Sequence, residues 1–374
     1  MERIIQGLVL CLIIGTLASG CRQNIPKSES DYNIDVKQRS SASDFFDSYS
    51  YVTLETKDDV LLADIKGIRV TDSVICVLSR GQIISFDHKG RHVGTIDRKG
   101  QGPREYVDIN DYRIYDNQVM VLASRNKKIF VYDFDGNYDR EIPLDNSYQS
   151  FEIYNDSLIC LAAGNMGKKG FNFVFINSDD GSVISEFDKF DRPEGFNLKD
   201  VHNIFLGRGS AGELIVSHPF DMNIYRLSES EMCPAFTMSF NTDSQLPAKY
   251  LERSFMDLSD ATNNMPVVRF FTSYYRGKDF EIIAYPLFGG HGLLTNLVKI
   301  ENGQQSAYLP ICEKIDLEFP YISKPMAIYD NCIVSVREPA SIDYIERHNN
   351  LSEFREAGLS DADNPVIFFH HIKQ

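Results

Sequence analysis

Two sets of residues in this chain are of the types that bind ligands or carry acid–base chemistry. The first is basic, with one tyrosine, and lies in segments that read as loops between strands: Arg80, Arg98, Lys99, Arg104, Tyr106, Arg125, Lys128, Lys168 and Lys169. Guanidinium and ammonium groups bind carboxylates and phosphates. The second set is polar and consists of Asn110, Asp111 and His202.

The basic set is notable because the chain as a whole is acidic. Its 53 acidic and 38 basic residues leave a net charge of -15, which argues against a nucleic-acid ligand. Positive charge gathered on one surface of such a chain predicts a binding face for an anionic glycan, peptide or envelope protein. The alternative is that Lys and Arg simply occupy longer loops, while Asp and Asn favour tight hairpins.

Motifs of common enzymes are missing from the sequence. The glycines between 164 and 170 are not followed by the Lys-Ser or Lys-Thr of a phosphate-binding loop, and there is no Gly-x-Ser-x-Gly, His-Glu-x-x-His or Cys-x-x-Cys. Gly100-Gln101-Gly102 runs into Pro103 and opens no helix, so it is not a dinucleotide-binding turn. The sequence therefore predicts no cofactor and favours a binding or scaffold module over an enzyme.

The elements that position these residues repeat along the chain. A polar turn before a short apolar run occurs at 71–78, 116–122, 155–161 and 330–336, and turn glycines follow at 90, 136 and 181. The glycine spacings, 136 − 90 = 46 and 181 − 136 = 45, are typical of a four-stranded propeller blade. We therefore expect an all-β, six-bladed β-propeller with antiparallel blades at 65–97, 108–142, 150–187, 201–240, 266–311 and 325–372.

The last predicted blade is one strand short. Residues 51–55 lie ahead of the first blade and can supply that strand, so that the N- and C-terminal strands close the ring and remove its open edges. Helical insertions are predicted near 245–265 and 341–358, as lids or as packed connections. The propeller domain is expected over 45–374.

The propeller fold determines on which of its two faces each loop lies, and it suggests a metal-binding role for the polar set. Blade-to-blade loops and second-to-third strand turns emerge on one face, which collects the basic set, whereas the other hairpins collect Asp87, Asp133 and Asp135. Asn110, Asp111 and His202 lie near the starts of innermost strands, where oxygen and imidazole ligands suit a divalent metal on the propeller axis. A lyase or hydrolase with such a metal is therefore the alternative function.

The N-terminal residues have the pattern of a secretory signal. Residues 1–20 combine Arg3 with an apolar stretch, and Leu17-Ala18-Ser19-Gly20 precede Cys21 as small residues precede a lipidated cysteine. Acylation of Cys21 would anchor the chain to a membrane, and residues 21–44 are expected to form a flexible tether. A plain signal peptide is the alternative. The predicted location is the bacterial cell envelope, in the outer membrane, with the periplasmic and surface sides both open.

One string is specific enough to suggest a family. Residues 96–106, Ile-Asp-Arg-Lys-Gly-Gln-Gly-Pro-Arg-Glu-Tyr, together with residues 51–56 and 363–367, resemble the six-bladed β-propeller lipoproteins of unknown function, which are related to NHL-repeat and TolB-like propellers. The resemblance spans about 45–374 and implies a fold and an envelope location, but no activity. Arg104 departs from that family, which more often has a small residue or glycine there.

Overall fold

The computed structural model describes residues 30–164, 170–190, 204–241, 267–289, 292–311, 325–342, 358–360 and 362–374. Within these residues the strands form six sheets; five have four antiparallel strands, and the sixth has four antiparallel strands with a fifth strand paired in parallel at its outer edge. The predicted all-β, six-bladed propeller is therefore confirmed.

The blades follow one another along the chain, and each begins with its innermost strand. Blade 1 contains β3 (Ile65–Val70), β4 (Ile75–Ser79), β5 (Gln82–Phe86) and β6 (His92–Ile96). Blade 2 contains β7 (Asp111–Tyr115), β8 (Gln118–Ala123), β9 (Lys128–Tyr132) and β10 (Tyr138–Pro143). Blade 3 contains β11 (Ser150–Asn155), β12 (Leu158–Ala162), β13 (Gly170–Asn177) and β14 (Val183–Phe190).

The remaining three blades include the two ends of the chain. Blade 4 contains β15 (Phe205–Arg208), β16 (Leu214–Ser217), β17 (Asn223–Leu227) and β18 (Met232–Phe240), with β1 (Ser30–Ile34) added outside β18. Blade 5 contains β19 (Ser273–Arg276), β20 (Phe280–Gly289), β21 (Gly292–Glu301) and β22 (Gln304–Ile311). Blade 6 contains β23 (Ala327–Tyr329), β24 (Cys332–Arg337), β25 (Val366–Ile372) and β2 (Phe46–Thr53).

The innermost strands of neighbouring blades contact each other and define the axis of the ring. Strand β7 contacts β11, β15 contacts β19, and β23 contacts β3. Arg208 of blade 4 donates to the carbonyl oxygen of Tyr154 in blade 3, and the Tyr112 hydroxyl of blade 2 reaches the Gly67 carbonyl of blade 1. The core therefore lies between blades, which explains why all five residues of β4 are buried.

The repeated turn glycines pack where two blades meet. Gly90 and Gly181 have φ angles of 78° and 74°, a region that glycine enters without strain. A side chain on Gly90 would place Cβ 1.9 Å from the Thr53 carbonyl oxygen of blade 6, and one on Gly181 would place it 2.2 Å from that of Pro143 in blade 2. The repeat thus marks the closest approach of each blade to the preceding one.

The ring closes as the sequence predicts. Strand β2 pairs antiparallel with β25, from Phe46 opposite Ile372 to Thr53 opposite Val366, and becomes the outermost strand of blade 6. Cys76, Cys160 and Cys332 are buried free thiols within the strands, as expected for cysteines that act as small apolar residues.

The expected tether over 21–44 is wrong from residue 30 onward, and 21–29 lie outside the described residues. Strand β1 pairs in parallel with β18, with Ser30 opposite Phe236 and Ile34 opposite Phe240. A short 3-10 helix (Ala42–Asp44) then precedes β2. Tyr32 and Ile34 alternate with exposed residues, and their burial against the ring favours the strand over a free chain.

The predicted helical insertions fall largely outside the described residues. None of 245–265 is described, and 341–358 is described only at 341–342 and 358. No helix in the described part of the chain is long and apolar enough to span a membrane.

Candidate functional site

The Gly-Gln-Gly-Pro loop after blade 1 is folded around one carboxylate. The Glu105 carboxylate accepts a hydrogen bond of 2.9 Å from the Gly102 amide, and the Gly100 amide donates to the Tyr106 carbonyl oxygen at 3.0 Å. A Cβ on Gly100 would lie 1.9 Å from Glu105 Oε2. The absence of a side chain at position 100 therefore leaves room for the carboxylate to close the loop.

Tyr106 fixes this loop from within and does not form part of a binding surface. Its side chain is fully buried, and its hydroxyl accepts from the Arg98 amide at 3.1 Å while lying 3.1 Å from the carbonyl oxygens of Gly81 and Ile96. Burial raises the pKa of Tyr106 to about 12. Its place among the predicted ligand contacts is therefore wrong, because no ligand can reach a fully buried ring.

A cleft of about 450 Å³ opens beside the loop, where blade 1 meets blade 2. We call it the Arg98–Arg104 cleft; its lining is Arg98, Gly102, Pro103, Arg104, Glu105, Asn137 and Tyr138. Arg98 and Arg104 are exposed, and the Arg104 guanidinium lies 5.1 Å from the ring centre of Tyr138. Two guanidinium groups beside an aromatic ring suit an anionic ligand of small size.

The cleft joins residues that loop topology assigns to opposite faces. Arg98 Nε donates a hydrogen bond of 2.9 Å to the Gly136 carbonyl oxygen, in the hairpin expected on the acidic face. Gly94, near the end of β6, likewise sits against the Phe134 carbonyl oxygen of that hairpin. The twist of the blades brings the outermost strand of blade 1 across the β9–β10 hairpin, so the strict division into two faces is wrong here.

The other predicted basic residues that the structure describes do not line this cleft. Arg125 Nε lies 3.1 Å from Asp108 Oδ2, and Lys128 Nζ lies 2.7 Å from Glu141 Oε1. Arg80 is exposed in the β4–β5 turn, and Lys99 is exposed at the start of the loop. Lys168 and Lys169 lie outside the described residues. The structure thus brings together Arg98 and Arg104; the Tyr106 hydroxyl accepts from the Arg98 amide, and the Tyr132 hydroxyl donates to the Arg104 carbonyl oxygen.

Asp111 belongs to a charged network on the innermost strands. Its carboxylate lies 2.6 Å from Arg113 Nη1 and 3.3 Å from Arg69 Nη2, and Arg113 Nε donates to Glu152 at 2.8 Å. Burial by itself lowers the pKa of Arg113, but Asp111 and Glu152 raise it above its ordinary range. The network joins blades 1, 2 and 3, and it neutralises the carboxylate on which the axial-metal hypothesis depends.

The other two residues of the axial-metal hypothesis are Asn110 and His202. Asn110 Oδ1 accepts from the Ser124 amide at 3.0 Å, and His202 lies outside the described residues. Among the residues that the structure describes, no group of three His, Cys, Asp or Glu side chains is placed to hold a metal. The divalent metal remains a hypothesis from the sequence.

Sequence reasoning missed two partners in the cleft and three in the network. Asn137 and Tyr138 were not among the candidates; they follow the turn with Asp133 and Asp135 that was expected on the other face, and an aromatic residue directly after a turn was a usable signal. Arg69, Arg113 and Glu152 each lie within an innermost strand. A charged residue in that position on three consecutive blades was the signal that predicts a network about the axis.

Comparisons with known proteins establish the family. Residues 26–371 match the family model described as a domain of unknown function, DUF4934. The chain belongs to this family. No curated protein matches it.

Solved structures show the same fold at low identity. A protein from Bacteroides fragilis NCTC 9343 superposes with a TM-score of 0.72 at 17% identity, over 91% of this chain and 99% of its own. Its name describes it as a candidate exported protein. A member of the DUF4221 family from Bacteroides vulgatus superposes with a TM-score of 0.52 at 9% identity, over 88% of this chain and 97% of its own. At these identities, the two superpositions show that this DUF4934 propeller shares its fold with those proteins, and they show nothing further.

Proposed function

We propose that this DUF4934 protein is a lipid-anchored propeller of the bacterial cell envelope that binds a carboxylate-bearing glycan in the Arg98–Arg104 cleft, without catalysis. The observation that carries the proposal is the pair of exposed guanidinium groups in one cleft of an acidic protein. Among the described residues neither arginine forms an ion pair, so both charges are available to a ligand. The lipobox-like sequence before Cys21 supports the anchor and the location in the envelope.

The size of the cleft favours a small acidic unit over a protein partner. A volume of about 450 Å³ is within the range of small-ligand sites. A stable protein interface instead buries about 800 Å² on each partner, which is a far larger surface. Asn137 Nδ2 donates to Asp133 at 2.9 Å, so the Asn137 side-chain oxygen is the group that can accept from a sugar hydroxyl, and Tyr138 adds a flat ring.

The chemistry of the cleft supports binding and orientation. Arg98 is held by its bond to Gly136, so its remaining N–H groups are oriented before the ligand arrives. A carboxylate accepts paired hydrogen bonds from a guanidinium, which lysine cannot supply in the same geometry. We therefore expect Arg98→Lys and Arg104→Lys to bind less tightly than the wild type, although the charge is unchanged.

The test uses the full mature lipoprotein in detergent micelles, with polygalacturonate as the probe and neutral dextran as the control ligand. Arg98→Glu and Arg104→Glu are each expected to weaken binding of polygalacturonate by about tenfold or more, because each removes charge-assisted hydrogen bonds. The matched control is Arg80→Glu, the same charge reversal at an exposed arginine outside the cleft.

The outcomes separate the ligand classes. Binding of polygalacturonate that Arg80→Glu leaves unchanged and both cleft variants lose supports the proposal. Equal losses in all three variants indicate a general effect of net charge and overturn the cleft as the site. Binding of poly-glutamate but not polygalacturonate, lost in the same variants, would replace the glycan with an acidic peptide.

A further inference from the structure

The N-terminal segment is built into the ring at one particular junction. Tyr32 and Ile34 of β1 are buried in a core shared by blades 4 and 5, where Tyr32 packs on Phe236 with ring centres 4.9 Å apart. The Tyr32 hydroxyl donates to Glu281 of blade 5 at 2.8 Å. Strand β1 therefore fills the groove between the two blades as well as extending the sheet of blade 4.

The same segment continues across the outside of blade 5. The Asp35 amide donates to Gln305 at 2.6 Å, and the Ser40 amide donates to the Tyr308 carbonyl oxygen at 2.9 Å. The Tyr308 amide in turn donates to Ser40 Oγ at 3.0 Å. Residues 30–46, which we call the N-terminal strap, thus run from blade 4 over blade 5 into β2 of blade 6.

The strap and the cleft lie on opposite sides of the ring. The blades adjoin in chain order, and blade 6 contacts blade 1 through β23 and β3. The strap enters at the junction of blades 4 and 5, whereas the Arg98–Arg104 cleft opens at the junction of blades 1 and 2. In a ring of six blades, those two junctions are three places apart, which is half a turn.

The chain between the strap and Cys21 is short. From Cys21 to Ser30 there are 30 − 21 = 9 residue steps. At full extension nine steps span at most about 30 Å. A lipid on Cys21 would therefore hold Ser30, at the junction of blades 4 and 5, within about 30 Å of the bilayer surface.

We infer that the strap orients the anchored propeller, with the junction of blades 4 and 5 toward the membrane and the Arg98–Arg104 cleft toward the aqueous phase. The cleft then takes its anionic ligand from solution, and the headgroups of the anchoring bilayer do not reach it. This inference rests on the proposed function of the cleft and on acylation of Cys21.

The orientation is measured on the full-length acylated protein reconstituted into phosphatidylglycerol–phosphatidylethanolamine vesicles. An acceptor dye is carried on the lipid headgroups, and the same donor dye is attached to p-azidophenylalanine in place of Lys37 or of Gln101. Both residues are exposed, the first in the strap and the second in the loop beside the cleft. Energy transfer is expected to be strong from position 37 and largely lost from position 101.

A second arm identifies the source of the ligand. Binding of polygalacturonate to the vesicle-bound protein is expected to match that of the detergent-solubilised protein, because the cleft is open to solution. Competition by phosphatidylglycerol in the anchoring bilayer, compared with vesicles of phosphatidylcholine, is expected to be absent.

Several results would overturn the inference. Equal or reversed energy transfer from the two positions contradicts the orientation, and mass spectrometry that finds Cys21 without acyl chains removes its basis. A loss of polygalacturonate binding only in phosphatidylglycerol vesicles would make the headgroup the ligand. The solution assay in detergent tests the cleft itself, so its failure is distinguishable from a wrong orientation.

Discussion

Arg98 Nε donates a hydrogen bond of 2.9 Å to the carbonyl oxygen of Gly136, and this contact joins the loop after blade 1 to a hairpin of blade 2. The Arg98 amide is held as well, by the buried hydroxyl of Tyr106. The backbone of this arginine is therefore positioned by its own loop between the blades, and its side chain by a hairpin of blade 2. Binding of a ligand to Arg98 costs less conformational entropy, because the arginine side chain is already ordered in the folded protein.

Gly100→Ala tests whether the loop shapes the cleft. The added Cβ would meet Glu105 Oε2 at 1.9 Å, so the carboxylate must leave the Gly102 amide. Because Glu105 Oε2 is the end of a flexible side chain that can turn aside, we expect binding of polygalacturonate to fall and the free energy of unfolding to drop by about 1 kcal/mol, the size of one lost hydrogen bond. Isothermal titration and urea unfolding measure the two effects.

The control for this substitution is the cycle with Glu105→Ala. Truncation of Glu105 makes room for the new methyl group, so the double variant is expected to be no less stable than Glu105→Ala alone. If the losses in the free energy of unfolding of the two single variants simply add in the double variant, the Gly100–Glu105 contact is not the cause of the effect of Gly100→Ala.

Tyr106→Phe tests the structural role that replaces the predicted ligand contact. The substitution keeps the buried ring and removes the hydroxyl that the Arg98 amide and two carbonyl oxygens surround. Groups left unpaired in the interior cost about 1–3 kcal/mol, which we expect as a loss in the free energy of unfolding. The matched control is Tyr115→Phe in β7, an exposed tyrosine whose hydroxyl donates to Asp156 at the surface, where water can replace the bond; an equal loss there would contradict the assignment.

The six blades were predictable because each blade repeats a physical requirement. Gly90 and Gly181 mark turns with positive φ whose hydrogen atoms face the neighbouring blade, and no other residue fits. The residues that close the ring were predictable too, since the last repeat lacks a strand that 51–55 can supply. Turn glycines and a missing strand can be recognised from the sequence, because each depends on a local pattern of residue types.

The cleft and the strap were harder to predict because they depend on how elements cross. Arg98 was among the candidates, but Tyr138 was not, since topology alone does not show the twist that carries β6 over the next hairpin. In the strap, Tyr32 and Ile34 show the alternation of a strand over only five residues, among polar neighbours. A pattern so short does not distinguish an added strand from a tether.

Ile34→Ala tests the strap as part of the fold. Ile34 has no exposed surface and packs in the core between blades 4 and 5. Removing its buried methyl groups is expected to lower the free energy of unfolding by about 2–5 kcal/mol. Asn33→Ala, at the exposed neighbouring position of the same strand, is the control and is expected to change stability little. Equal effects of the two substitutions in urea unfolding would mean that the strap is not packed as described.

We expect His370 to make the stability of the protein depend on pH. The side chain is 1% exposed, lies between Phe46 and Phe368, and shares a hydrogen bond of 2.9 Å between Nε2 and the Ser335 hydroxyl. Burial, followed by the nearby charges of Arg337 and His371, lowers the pKa of His370 to about 3. The imidazole is therefore neutral in the folded protein over the range in which an unfolded histidine gains a proton.

The sign of the effect follows from proton binding. Between about pH 6.5 and pH 3 the unfolded chain binds a proton at His370 that the folded chain does not, so the free energy of unfolding decreases as the pH falls through that range. His370→Gln removes the titrating group and keeps a partner for Ser335, so its stability is expected to fall less steeply. Urea unfolding at several pH values from 7 to 4 measures the two slopes. The control is His88→Gln at an exposed histidine, which is expected to keep the wild-type slope, and an unchanged slope in His370→Gln would contradict the prediction.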